Sequence, residues 1–185
     1  MAQDLLDIPN DRSSHTVPTP RGGGLAIVIV LLLAGVVSLF LPQAPIDVLV
    51  CLLLATLAFS LLGWQDDKHD LPASVRFLIQ LLIAVFASGW LLWATVPGYS
   101  TSFASVALLL LSTLWIAWMA NLYNFMDGIN GISLLYALVL VLSLWFFQLE
   151  LQLELLQEPV FYGLATSIFI LCYLNVRKRA KAFIG

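Results

Sequence analysis

The sequence predicts an all-α fold: a polytopic bundle of about six membrane-spanning helices, with both termini on the cytoplasmic side. Three observations carry this. Of 185 residues, 61% are hydrophobic and 10% charged, with a mean hydropathy of +0.98. A soluble domain of this size has too little polar surface to cover so apolar a chain. The apolar residues also fall into continuous runs near the roughly 17–25 residues that a bilayer requires. Finally, the basic residues are distributed with one sign of asymmetry along those runs.

Residues 1–23 form a polar leader, MAQDLLDIPNDRSSHTVPTPRGG. It has no apolar core of a signal peptide, so insertion is expected to rely on the spans themselves. The spans are placed at about Gly24–Leu41, Ile46–Gly63, Arg76–Val96, Ser102–Leu122, Ile132–Leu149 and Pro159–Asn175. None alternates apolar and polar residues, which argues against a β-barrel. The whole of 1–185 reads as one membrane-integral domain. Cys51 and Cys172 lie inside apolar runs without metal-ligand spacing and read as small core hydrophobes. The net charge of −3 says little about partners, and no nucleic-acid partner is expected.

With six spans, all eight basic residues (Arg12, Arg21, Lys68, Arg76, Arg177, Lys178, Arg179 and Lys181) fall on one face. The loops near Pro42–Pro45, Pro97–Thr101 and Glu150–Glu158 carry none. The positive-inside rule makes the basic face cytoplasmic and the chain a multi-pass protein of the inner membrane. Glu150, Glu154 and Glu158, at i, i+4 and i+8, read as a solvated helix end on the opposite face.

Three polar stretches share the basic face. The organising one is Gly63–Gln80, GWQDDKHDLPASVRFLIQ. Asp66 and Asp67 are adjacent, and Asp70 would share a face with Asp66 if the segment were helical. Carboxylates this close repel one another unless a cation sits among them, which suggests a hard ion such as Mg²⁺. The competing reading is a solvated loop at the membrane edge, with Lys68 balancing charge. The second stretch is NLYNFMDGING, where Asn121, Asn124, Asp127 and Asn130 recur every three residues. An Asp at bilayer depth costs about 2.5–3.5 kcal/mol, a cost that usually marks a lined cavity or ion site. Asn121 and Asn130 have helix capping as an alternative. Gly128 and Gly131 would let backbone N–H groups approach a ligand at the next helix N-terminus. The third stretch is the leader, with Arg12, His15, Arg21 and the run Gly22–Gly24. Either arginine suits a phosphate or a positive-inside anchor, and His15 suits a surface position.

In this order, the leader RSSHTVPTPRGGG, the segment DDKHDLP followed by Arg76 and Gln80, and NLYNFMDGING resemble the polyprenyl-phosphate N-acetylhexosamine-1-phosphate transferases, glycosyltransferase family 4. That superfamily includes the phospho-MurNAc-pentapeptide translocase and enzymes that begin O-antigen synthesis. The resemblance covers Asp7 to Gly185. It implies transfer of a HexNAc 1-phosphate from a UDP-HexNAc to polyprenyl (undecaprenyl) phosphate, with release of UMP and with Mg²⁺, or alternatively Mn²⁺, as cofactor. It implies catalytic roles for Asp66, Asp67 and Asp127. Asp66 would bind or deprotonate the lipid phosphate, while Asp67 and Asp127 would hold the metal. Asn124, Asn121, Asn130, Arg12, His15, Arg21 and Lys68 would bind substrate.

Besides the lipid bilayer and the two substrates, a homodimer is left open as a partner. The family usually has Asp where this chain has Asn130. It also continues beyond Gly185 with a metal-binding Asp, further spans and a His-rich loop, so a truncated and inactive fragment is one alternative. An intramembrane prenyltransferase with Asp-rich loops is another, although only Asp66 and Asp70 have its i, i+4 acid spacing. A transporter is a third, without a mid-span charge or inverted repeat in its favour.

The expected topology is testable by cysteine accessibility. A single cysteine at position 99 or 154 should react with an impermeant reagent from the non-cytoplasmic side. Labelling from the cytoplasmic side alone would refute the six-span arrangement.

Overall fold

The computed structural model describes residues 6–7, 19–20, 23–42, 44–126, 132–151 and 157–175. Among them are six helices and one two-residue antiparallel ladder, which pairs β1 (Leu6–Asp7) with β2 (Thr19–Pro20) in the register Leu6↔Pro20 and Asp7↔Thr19. The helices are α1 (Gly23–Ser38), α2 (Ile46–His69), α3 (Ala73–Thr95), α4 (Phe103–Met126), α5 (Ile132–Leu151) and α6 (Glu158–Asn175). Each matches one expected span. Helices α2 to α5 are long and apolar enough to cross a membrane, whereas α1 and α6 are shorter apolar helices. Within the four long segments only 11–22% is buried by protein. Side chains such as Trp115, Leu111 and Leu82 are more than half exposed. Such surfaces suit hydrocarbon, where a helix satisfies its own backbone polar groups.

The chain clusters into two compact units. One comprises Met1–Ser38 and Asn124–Gly185. In its described part α6 packs against both α1 and α5. The seam between α5 and α6 follows a seven-residue repeat. Leu134, Leu138, Val141 and Trp145 on α5 meet Phe161, Leu164, Ile168 and Leu171 on α6. This period is the one that keeps two nearly aligned helices in contact over several turns. Trp145 stacks on Phe161, with ring centroids 4.1 Å apart and planes 13° from parallel. Against α1 the device is smallness. A Cβ at Gly163 would lie 3.1 Å from Val30 Cγ1 and 3.4 Å from the Ala34 Cβ. Small residues allow such close approach where lipid supplies no hydrophobic drive between helices.

The other unit, Leu39–Tyr123, contains the α2–α3 hairpin and most of α4. Cys51 near the start of α2 lies against α3, its Sγ 3.7 Å from the Ala87 carbonyl oxygen. Both cysteines are free thiols, Cys51 being buried.

Two local expectations change. Spans that end at Gly63 and start at Arg76 leave the acidic pair on a loop. Instead α2 runs on to His69 and α3 begins at Ala73. A helix crosses the membrane edge without breaking, because its backbone bonds are internal in both media. Lys68 and His69 in the last turn favour the negative end of its dipole. Asp70 lies at the cap and not within the helix. It leaves the helix in the left-handed conformation, φ 46°, with its N–H bonded to the Asp66 carbonyl. This is the usual C-terminal stop, here with Asp in the place of Gly or Asn. Pro72 then sits at the N-cap of α3, where its missing N–H costs nothing. The acidic stretch expected on the opposite face is split as well. Glu150 lies on α5 and Glu158 in the first turn of α6, while Glu154 is outside the described residues.

The tight contact at Gly163 predicts an asymmetry between glycines. Gly163→Val should destabilise the protein by about 1–3 kcal/mol through overpacking. Gly63→Val, where nothing lies within 4 Å, should stay within about 0.5 kcal/mol. Thermal unfolding in detergent checks both.

Candidate functional site

The site is built at the corner where α2 passes into α3. Asp66 and Asp67 stand on the last turns of α2, roughly 100° apart around the axis. That angle separates their fates. Asp66 turns toward α3 and is 17% exposed, whereas Asp67 is exposed. Arg76 Nη1, in the first turn of α3, donates to Asp66 Oδ2 at 2.8 Å. This is a charge-assisted bond that ties two consecutive helices across the Asp70–Pro72 corner. Lys68 does not answer Asp66. Its ammonium sits 3.6 Å from the centroid of the Trp64 ring, one turn back on α2. Cation–π attraction holds it there.

Arg76 and Gln80 were read only as part of a motif and as a topology signal, and their structural role was missed. Arg76 is three-quarters buried, and its Nε makes no hydrogen bond among the described residues. Gln80, one turn deeper, is 5% exposed and its Oε1 is likewise unpartnered. The available signal was their i, i+4 spacing at the start of an otherwise apolar helix, which puts both on one face.

Asn121 and Asn124 lie near the end of α4, Asn121 half-buried and Asn124 exposed. A Cβ added to Gly89 on α3 would lie 3.8 Å from Leu109 Cδ1 on α4, an ordinary contact. Asp127, Asn130, Arg12, His15 and Arg21 lie outside the described residues. Among the described residues no three His, Cys, Asp or Glu side chains gather as a metal site. The hard oxygens available here are those of Asp66, already held by Arg76, and of Asp67, which has an interaction of its own.

Comparison with known proteins addresses the same segment. A probable undecaprenyl-phosphate N-acetylglucosaminyl 1-phosphate transferase of Bacillus subtilis is 30% identical over 139 residues, covering 69% of this chain and 36% of its own length. A decaprenyl-phosphate N-acetylglucosaminephosphotransferase of Mycobacterium leprae is 26% identical, covering 98% of this chain and 50% of its own. An undecaprenyl-phosphate α-N-acetylglucosaminyl 1-phosphate transferase of Thermotoga maritima is 27% identical, covering 93% and 55%. The chain thus spans between about a third and a half of the length of these relatives. No solved structure matches. The sequence model for Glycosyl transferase family 4 matches residues 49–185, which include the α2–α3 corner and the end of α4, and the chain belongs to that family.

Proposed function

We propose that the protein of which this chain is the whole or a part transfers a HexNAc 1-phosphate from a UDP-sugar to a polyprenyl phosphate at the cytoplasmic face of the inner membrane, releasing UMP. The observation that carries this reading is the carboxylate–guanidinium corner of α2 and α3. It stands within the family-matched segment, at the end where both helices leave their apolar stretch. The named relatives act on undecaprenyl or decaprenyl phosphate. An amphiphile of that kind brings its phosphate to the headgroup layer, where charged side chains can stand without the cost of burial in hydrocarbon.

The chemistry asks for charge management. Both substrates are anionic at the reacting atoms, so their approach must be offset electrostatically. Asp67 is exposed beside the corner, and in this reading its carboxylate is one ligand of a hard cation. One or two carboxylates completed by substrate phosphates suit Mg²⁺, with Asp127 as the second protein ligand in this reading. When bound, the ion would neutralise the diphosphate charge. The chain's own residues do the rest. Asp66, fixed by Arg76, takes the proton of the incoming lipid phosphate or orients it. Asn121 and Asn124, near the end of α4, offer amides to the nucleotide sugar in this reading.

The test uses two proteins: the chain as given, and the chain fused to the C-terminal portion of the Bacillus subtilis relative. UMP release is measured with UDP-GlcNAc and undecaprenyl phosphate. The fused enzyme should be active and should lose activity with EDTA. Asp66→Asn and Asp67→Asn should each lower kcat at least about a hundredfold, the scale of one lost electrostatic contact in a transition state. Undiminished turnover in both variants would remove the corner from the mechanism. Absence of transfer in the fused enzyme with every HexNAc nucleotide tried would sink the reaction itself.

A further inference from the structure

Gln80 is the most buried polar side chain near the site, and its acceptor oxygen has no partner among the described residues. Its position leaves few candidates. Taking α3 as a regular helix, Gln80 is about 40° around the axis from Arg76, and Ala87 about 20°. Arg76 meets α2 at Asp66, and Ala87 meets it at Cys51. Gln80 therefore faces α2 between two established contacts. Counted from those two contacts, Gln80 faces the stretch of α2 between residues 58 and 62, since 51 + 87 − 80 = 58 and 66 + 76 − 80 = 62. Ala58, Phe59, Leu61 and Leu62 are apolar there, and Ser60 spends its hydroxyl on the Thr56 carbonyl. On α3 the residues one turn away are Arg76, Phe77, Ile83 and Ala84. Arg76 is the polar one, and its buried Nε–H is an unpartnered donor. A buried acceptor and a buried donor on one helix face, one turn apart, complement each other.

We propose that Gln80 is a positioning residue: through one bridging water its carboxamide oxygen accepts from Arg76 Nε–H, fixing the guanidinium whose Nη1 holds Asp66. A water satisfies both groups at once, accepting from the guanidinium and donating to the amide oxygen. The planar guanidinium is then held on two edges, Nε and Nη1, so the Asp66 carboxylate keeps one orientation at the corner. The relay is argued from these two unpartnered atoms, independently of any activity. Its consequence for turnover rests on the transfer reaction proposed above.

A thermal double-mutant cycle on the 185-residue chain in detergent tests the relay without any assay of function. Gln80→Leu should lower Tm by about 2–4 °C, the shift expected for one lost interaction in a chain of this size. In the Arg76→Met background the same change should have little effect. Equal shifts in both backgrounds would overturn the relay. The fused enzyme then tests positioning. Gln80→Leu should lower kcat roughly tenfold with KM for the UDP-sugar unchanged, because misorientation of a group acts on the chemical step. Gln80→Glu, which keeps an acceptor in place, should recover most of the rate. A purely structural role predicts the reverse order, with the apolar Leu tolerated and the buried Glu damaging. That order would overturn the positioning role. Coupling in Tm with an inactive wild-type fusion would leave the relay standing and reject the transfer reaction.

Discussion

The pairing of Asp66 with Arg76 constrains the whole end of the unit to which it belongs. Two charges in contact cannot be drawn into hydrocarbon without a large cost, so the pair marks the depth at which α2 stops and α3 starts. The rest of the corner follows from that level. Asp70 turns the chain with a left-handed residue, and Pro72 starts the next helix at a position that needs no N–H. At the other end of the hairpin, Cys51 lies against the Ala87 carbonyl. The hairpin is thus held by a charge contact at one end and close packing at the other.

The unit containing α1, α5 and α6 is held differently. Among its described residues there is no ion pair, and its specificity lies in shape. Gly163 admits Val30 and Ala34, while Trp145 lies flat on Phe161. In lipid, where the surroundings are as apolar as the side chains, such fit replaces the hydrophobic drive of a soluble core. The seams between these helices are apolar, whereas the α2–α3 corner carries charge.

The sequence made the helices legible because the membrane imposes a length and a composition that few other solvents share. All six expected spans have a helix, and two of the three motifs behind the family resemblance fall in the matched residues 49–185. The corner was less legible. Whether Asp66 and Asp67 stand on a loop or a helix depends on where the backbone stops, and hydropathy reports the edge of the bilayer instead. The Asp66–Arg76 bond was hidden because the two residues are ten apart and meet only through the reversal at Asp70–Pro72. Lys68, closer in sequence, looked the better counter-charge. Trp64 on the same face drew it away. The stripe of Asn121 and Asn124 is on a helix as its spacing required, while Asp127 falls outside the described residues.

The seat of Lys68 on Trp64 also gives α2 a vertical anchor. An indole prefers the interfacial layer and an ammonium the water beyond it, so together they resist both sinking and rising. Asp66 lies between them in sequence, and its depth is held with theirs. When a membrane thickens or thins, a helix anchored at one end takes up the mismatch at the other. For α2 that is the Pro45–Ile46 end, far from the carboxylates. A change in lipid composition would then move the distant loop while the corner kept its place beside the phosphate layer.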